Sequence, residues 1–355
     1  MNLIDTLSQF YQQNSNIINA IGINMLLGLS LYVTLACGQL ALSNPGFMSI
    51  GAYVSAVMTT HLHTPFALNV LMGMFVAMLV AFLLGLPVLR LRGVFLAIAT
   101  IGFGEVVRVA FLNIDQLANT VAQWTGATLD KPIEITGGAV GLFNIPPYTQ
   151  GWMIFLALLL LAIFFQRLRT SRTGYAYAAI RENEDAAQSM GINVFAYRMG
   201  SFVLSAAIAA LAGALDAHAH SFISPNDTSY LFSNAVRILM MAIIGGTTLY
   251  MGTMLGAMLI TLLPQLLDGT NRLLSGGSPL LTWLKQYPDA FNGLLLLAVI
   301  LLAPGGLGTL LNWLARQWRR VWATLIPEPL RQRIADRWLG PSGSPSLFTG
   351  GRGRG

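Results

Sequence analysis

Long apolar stretches separated by short polar connections constrain this chain more than any single motif does. A transmembrane helix needs roughly 20 mostly apolar residues. Only 10% of the 355 residues are charged and 55% are hydrophobic, whereas soluble domains carry roughly 25% charged residues. The sequence therefore predicts an all-α, polytopic integral membrane helical bundle over residues 1–314 with about nine (8–10) transmembrane helices. Spans are expected near 17–37, 46–61, 66–89, 93–113, 151–168, 199–220, 231–248, 250–267 and 291–304.

The second of these stretches is short and contains Gly46 and Gly51, which leaves a re-entrant segment as an alternative to a full span. Lys and Arg are concentrated on the cytoplasmic side of membrane proteins. Here fifteen of the twenty basic residues fall at 90–92, 167–198 and 316–354, and three (Lys131, Arg272 and Lys285) fall on the opposite side. The distribution places the amino terminus outside, a loop of about 169–198 in the cytoplasm, and a loop of about 114–150 outside. Residues 315–355 are predicted to form a basic, partly disordered cytoplasmic tail.

Small residues recur at four-residue spacing within two predicted spans. Ser205, Ala209 and Gly213 share one helix face, as do Gly252 and Gly256. Such spacing allows close backbone approach between helices in lipid. The pattern indicates a bundle with close contacts and does not specify a function.

The stretch IRENEDAAQSMG, Ile180–Gly191, is unusually polar for this chain and lies in the predicted cytoplasmic loop. Tyr177, Ile180, Ala187 and Met190 recur at helical spacing, and Gly191 is a typical helix end. One short amphipathic helix is therefore predicted. It is either a solvated or interfacial connector or a helix that docks on another protein, with Ala186 and Ala187 leaving room for the partner.

Within that stretch, DAAQSMG (Asp185–Gly191) resembles the EAA-xxx-G motif of ATP-binding-cassette (ABC) importer permeases. The Leu-Pro pair of the longer motif is absent, which argues against a sugar-importer permease. Residues 17–310 as a whole are similar to the LivM-type permeases of branched-chain amino-acid ABC importers. The further segments that carry the resemblance are GQLALSNPGFMSIGAY (38–53), TIGFGEVVR (100–108), TGGAVGLFNIPP (136–147), SFISP (221–225) and AIIGGTTLYMGTMLGA (242–257).

The resemblance implies a multi-pass subunit of the inner membrane that imports branched-chain or related amino acids by alternating access. Its implied partners are a LivH-type second permease, two ATPase subunits and a periplasmic substrate-binding protein. Urea and short-amide importers use similar permeases and remain an alternative. The implied ATPase-coupling residues are Arg181, Glu182, Glu184, Asp185, Ala186, Ala187 and Gly191.

The chain itself lacks the residues for ATP chemistry. Its only lysines are Lys131 and Lys285, neither of which belongs to a G-x-x-x-x-G-K-[ST] sequence. No nucleophile, base and orienting group are assembled by spacing. We therefore expect a non-catalytic subunit without a cofactor of its own, and the basic residues do not form the solvated, aromatic-interleaved patch of a nucleic-acid-binding protein.

Ionisable residues inside spans are functional candidates by default. Glu105 and Arg108 are three residues apart, so they are expected to pair on one helix face, either as a structural pair or as part of a translocation pathway. Arg237 is the third pathway candidate. Asp216 and His220 also form a helical pair from which His218 points away, so no metal site is expected.

Two further alternatives remain open on the sequence. The segment TGGAVGL lies outside and lacks the strand and helix of a phosphate loop. It is either a rim facing the binding protein or an ordinary glycine-rich turn. A self-sufficient secondary transporter or channel is the alternative function class, for which inverted repeats and buried carboxylates in broken helices are expected.

Overall fold

Ten helices and one short two-stranded ribbon make up the part of the chain that the structure describes. It is a computed structural model that describes residues 3–124, 135–227, 230, 232–246 and 249–273, with side chains from residue 15 to 262. The helices are α1 (Leu3–Ala36), α2 (Asn44–Leu62), α3 (Phe66–Val88), α4 (Val94–Trp124), α5 (Gly151–Arg169), α6 (Arg172–Glu182), α7 (Glu184–Ser189), α8 (Val194–His220), α9 (Phe232–Gly245) and α10 (Tyr250–Leu273). The strands are β1 (Leu142–Phe143) and β2 (Phe222–Ile223).

Each of the first eight predicted spans corresponds to one of the long helices, because apolar runs of this length favour helices that satisfy their own backbone hydrogen bonds. Among the described residues, five helices are long and apolar enough to cross a membrane: Ser15–Ala36 within α1, and α3, α4, α5 and α8. Two shorter apolar helices, Ser233–Gly245 and Tyr250–Leu262, lie within α9 and α10. The chain is thus a helical, multi-pass membrane protein. The predicted span at 291–304 and the predicted tail at 315–355 lie outside the described residues.

The bundle is built around α1, α2 and α8. The apolar parts of α1 and α8 are mostly buried, whereas those of α3, α4 and α5 are mostly exposed. The exposed side chains of the outer helices are large and apolar, such as Phe75 on α3 and Leu160 on α5. Since lipid tails solvate such groups well, the outer helices have the surface expected of a bundle immersed in a bilayer.

Buried polar side chains join the three central helices. The Asn44 amide at the start of α2 donates to the Ser30 hydroxyl of α1 at 2.6 Å and to the Ser205 hydroxyl of α8 at 3.3 Å. Ser30 also donates to the Ser205 carbonyl oxygen at 2.8 Å. Such hydrogen bonds stabilise helix contacts where no water competes. They fix the start of α2 between its two neighbours.

The predicted close contacts of small residues are confirmed. A β-carbon added at Gly213 would lie 2.0 Å from the Met48 carbonyl oxygen of α2, and one at Gly51 would lie 2.1 Å from the Ala210 carbonyl oxygen of α8. On α10, Gly252 and Gly256 contact the α9 backbone equally closely. Real side chains cannot occupy such distances, so the α2–α8 and α9–α10 contacts depend on glycine.

Candidate coupling surface and translocation site

The predicted cytoplasmic helix is two helices, not one. Asn183 has an extended backbone (φ −157°, ψ 110°), ending α6 and beginning α7. Its side-chain oxygen accepts a hydrogen bond from the Ala186 amide at 3.0 Å, the usual arrangement of an Asn cap. Ser171 caps α6 in the same way through the Gly174 amide. The prediction of one continuous helix was therefore wrong, because the Asn183 cap outweighs the helical spacing of the apolar residues.

One face of this helix pair packs on the rest of the chain. Ala187, Tyr177 and Ile180 are buried in a cluster with Cys37 at the end of α1 and Val194 at the start of α8. Burial raises the pKa of the Tyr177 hydroxyl. The expectation that Ala187 leaves room for another protein was wrong, since only 4% of Ala187 is exposed. Met190, predicted for the same apolar face, is 83% exposed instead.

The opposite face carries most of the predicted coupling residues. Arg181, Glu182, Asp185, Ala186 and Gly191 are all exposed. Gly191 ends the segment as predicted, with φ +83° and the hydrogen bonds Gly191 N to Gln188 O and Ile192 N to Ala187 O. This is the pattern of a Schellman helix end, which favours glycine. An added β-carbon would meet nothing within 4 Å, so the backbone conformation alone is what favours glycine here.

Glu184 is a predicted coupling residue whose carboxylate bonds within the chain. Both of its oxygens accept hydrogen bonds from the Arg198 guanidinium of α8, each at 2.9 Å. Arg92, in the connection between α3 and α4, lies 3.3 Å from the same carboxylate. The side chains of Glu184 and Arg198 are 20% and 14% exposed. Glu184 therefore attaches α7 to α8, a role that sequence spacing did not reveal.

A second candidate site is a cavity of about 180 Å³ between α2, α4 and α9. Glu105 and Gly104 of α4 line one wall, and Tyr230 and Ala235 line another. The remaining lining residues are Leu42, Pro45 and Ile101. The Thr100 hydroxyl of α4 accepts a hydrogen bond from the Leu42 amide at 2.9 Å, which joins α4 to the segment before α2. Segments 38–53 and 100–108 thus meet at one cavity.

The predicted pairing of Glu105 and Arg108 is confirmed. The Arg108 Nε donates to both oxygens of Glu105, at 2.9 and 3.0 Å. Arg108 also donates to the Asn226 side-chain oxygen at 2.9 Å, a partner that the sequence did not indicate. The Glu105 side chain is 52% exposed. A charged pair thus lies at the surface of the apolar part of α4.

Arg237 does not join this group. It lies on α9 two residues beyond Ala235, which turns its side chain by about 200° around the helix. It is half-buried and is not among the residues that line the cavity. The structure therefore brings two of the three pathway candidates together and places the third elsewhere.

The end of α8 carries the predicted acid–histidine pair. Asp216 Oδ1 lies 3.1 Å from His220 Nδ1, and the Tyr230 hydroxyl donates to Asp216 Oδ2 at 3.3 Å. As predicted, His218 points away, and its Nε2 is 2.9 Å from the Thr59 hydroxyl of α2. Among the described residues, no three His, Cys, Asp or Glu side chains are grouped closely enough for a metal ion.

The described part of the predicted outer loop, residues 135–150, is held by hydrogen bonds to neighbouring elements. Helix α4 continues to Trp124, beyond the predicted end of its span. Asp115 Oδ1 on this extension accepts hydrogen bonds from the amides of Ile135 and Thr136, both at 2.9 Å. Strand β1 pairs antiparallel with β2, with Leu142 opposite Ile223. The loop is thus fixed to α4 and to the end of α8.

Comparisons with known proteins agree on one family. Residues 14–304 match the family described as the permease component of branched-chain amino acid transport systems. The chain is 32% identical over 302 residues to the high-affinity branched-chain amino acid transport system permease protein LivM of Escherichia coli K12, covering 76% of this chain and 64% of that protein. It therefore spans less than two thirds of that relative's length.

Two further relatives match shorter parts of the chain. LivH of E. coli K12, the permease protein of the same system, is 31% identical over 158 residues, covering 44% of this chain and 45% of that protein. The autoinducer 2 import system permease protein LsrC of Yersinia enterocolitica is 32% identical over 130 residues, covering 36% of this chain and 34% of that protein. No solved structure matches the chain.

Proposed function

We propose that this chain, which belongs to the permease-component family of branched-chain amino acid transport systems, is a membrane subunit of an ABC importer. The family consists of transport permeases, so the chain is a non-catalytic component. The observation that carries the proposal is the α6–α7 pair, which exposes the EAA-like residues Asp185 and Ala186 while its other face is held by α1 and α8. ATP would be bound and hydrolysed by two separate subunits.

The attachments of the helix pair support a coupling role. A partner pressing on α7 acts on α8 through the Glu184–Arg198 ion pair and on the end of α1 through the buried cluster around Cys37. Both of these helices belong to the centre of the bundle. We propose that this connection transmits ATP-driven movement to the membrane spans, giving alternating access.

The exposed pair Glu105–Arg108 supports a pathway on the α4 side of the molecule. A charge at the bilayer centre costs about 2.5 to 3.5 kcal/mol on insertion scales, so such residues rarely face lipid. The outer faces of α3 and α5 carry exposed large apolar side chains, whereas α4 exposes Glu105 among apolar neighbours such as Val106 and Val109. We propose that a LivH-type second permease covers this face and that the Glu105 cavity opens onto a shared translocation path.

The proposed cargo is a branched-chain amino acid delivered by a periplasmic binding protein, as the names of the LivM and LivH relatives suggest. The proposed location is the inner membrane. The ordered outer loop held by Asp115 gives the binding protein a defined surface on the external side.

The experiment is leucine uptake into proteoliposomes that contain this chain with its second permease, ATPase subunits and binding protein. Ala186→Glu places a charge on the exposed coupling face without disturbing the chain's own core. We expect loss of ATPase copurification or of leucine uptake, at wild-type abundance of the chain. The matched control is Ala67→Glu, the same change at an exposed position at the start of α3. Wild-type uptake and ATPase binding in Ala186→Glu would contradict the proposed coupling surface.

A further inference from the structure

A cavity of about 230 Å³ lies where the ends of α1 and α5 meet α6. It is separate from the Glu105 cavity and borders the buried cluster around Ala187, with which it shares Tyr177. A buried water needs only about 10–15 Å³, so the cavity has room for a group of several atoms. Its lining residues are Tyr32, Val33, Ala36, Phe165, Leu168, Arg169, Gly174, Tyr177, Ala178 and Arg181.

The floor of the cavity is apolar but carries two hydroxyl groups. Val33 and Phe165 are almost completely buried, and the rings of Tyr32 and Phe165 meet edge to face with centroids 5.8 Å apart. Tyr32 and Tyr177 are 8% and 6% exposed. These rings give the floor a fixed shape, and buried tyrosine hydroxyls usually bond to a polar partner.

The mouth of the cavity is cationic. Arg169, at the end of α5, and Arg181, on α6, are both exposed and both line the cavity. Tyr32 lines the same cavity as both arginines. Two positive charges therefore lie beside a cavity that also contains a buried tyrosine. Arginine is the side chain best suited to bind phosphate, because its planar fork donates two parallel hydrogen bonds.

The cavity also lies at the depth where lipid headgroups are expected. Within the five residues before Phe165, α5 exposes Leu160, Ile163 and Phe164 as lipid-facing groups. The helix then ends with Arg167 and Arg169 in its last turn. Basic residues at the cytoplasmic end of an apolar helix lie near anionic headgroups and attract them.

We propose that this cavity binds a phosphate group, held by Arg169, Arg181 and the Tyr32 hydroxyl. The apolar floor fits the glycerol backbone and first methylenes of an anionic phospholipid, and a free phosphate shares the same charged contacts. A bound lipid would join α1, α5 and α6, and so would stabilise the base of the coupling helix pair. This proposal does not depend on the transport proposal, because it concerns binding to the isolated chain.

The test is native mass spectrometry and thermal unfolding of the delipidated full-length chain with phosphatidylglycerol, phosphatidylcholine or inorganic phosphate. Phosphatidylglycerol should bind and raise the unfolding temperature of the wild type more than phosphatidylcholine does. Arg169→Gln removes one charged contact and should weaken phosphatidylglycerol binding about tenfold. Ala178→Trp blocks the exposed mouth and should abolish the temperature shift.

The matched control is Arg167→Gln, because Arg167 lines a different cavity on α5 with Ile163, Gln166 and Thr170. It should bind phosphatidylglycerol like the wild type. A shift by inorganic phosphate alone that Arg169→Gln abolishes would support the phosphate site and identify free phosphate as its ligand. Equal binding of both lipids, or wild-type phosphatidylglycerol binding by Arg169→Gln and Ala178→Trp, would overturn the proposal.

Discussion

Two adjacent alanines show how residue position decides function in this chain. Ala186 is exposed on α7, whereas Ala187 is buried against Tyr177 and Ile180. A large substitution at Ala187 therefore damages the chain's own packing, and one at Ala186 tests contact with a partner. Like Ala187, Glu184 makes its contacts within the chain, because its carboxylate attaches α7 to α8 through Arg198.

At this residue scale, Glu184→Gln should lower the free energy of unfolding by about 1.5 to 3 kcal/mol, since it removes a charged hydrogen-bond acceptor from Arg198. Thermal or denaturant unfolding of the purified chain measures the loss. Glu182→Gln is the control, because Glu182 is exposed, and should leave stability unchanged. The double variant Glu184→Gln/Arg198→Met should lose less than the sum of its single variants. Additive losses would show that the two side chains do not stabilise each other.

At the scale of the elements, glycine determines how closely α2 and α8 pack. Gly51 and Gly213 lie against backbone carbonyl oxygens of the facing helix, so the helices touch without side chains between them. The Ser30–Asn44–Ser205 hydrogen bonds fix the same contact from the α1 side. Together they hold α2 in a mostly buried position between α1 and α8.

The corresponding prediction concerns Gly51→Ala and Gly213→Ala. Each added methyl group would lie about 2 Å from a carbonyl oxygen, and overpacking costs typically about 1 to 3 kcal/mol. We expect lower amounts of folded chain in the membrane and a lower unfolding temperature. Gly102→Ala on α4 is the matched control, because nothing lies within 4 Å of its added methyl group. Equal stability of all three variants would show that α2 and α8 are farther apart than the structure has them.

At the scale of the whole molecule, exposed apolar helices surround a core with small and polar residues in the described part of the chain, and the distribution of basic residues along the sequence predicts one orientation. This orientation places the α6–α7 pair and the cavity lined by Arg169 on the cytoplasmic side. It places the loop that is held by Asp115 on the external side. The proposed coupling surface and the proposed rim for a binding protein therefore lie at opposite ends of the bundle.

Site-directed labelling tests this orientation. In a Cys37→Ala background, a cysteine replacing Val140 should react with an impermeant maleimide added outside intact cells. One replacing Met190 should react only after permeabilisation. Both positions are well exposed, at 67% and 83%, so access alone separates them. Reversed labelling would contradict the orientation and, with it, the coupling and rim proposals.

The sequence by itself determined the features that depend on neighbouring residues. Apolar length predicted the described membrane helices, and four-residue spacing of small side chains predicted that α8 and α10 make close helix contacts. The i, i+3 and i, i+4 rules predicted the Glu105–Arg108 and Asp216–His220 pairs. The Gly191 helix end followed from its residue type. All of these are decided within a few turns of one helix, where the repeat of the backbone fixes which side chains meet.

Only the tertiary structure decided which faces are covered and which polar groups meet across the bundle. Arg108 contacts Asn226 across 118 residues of sequence, and Asp115 holds the amide of Thr136. Ala187 is buried because residues at the ends of α1 and α8 pack against it. The helical spacing along α7 does not predict which elements cover this residue. Local periodicity fixes that a helix has an apolar face, but the element covering that face is set by packing between segments far apart in the chain.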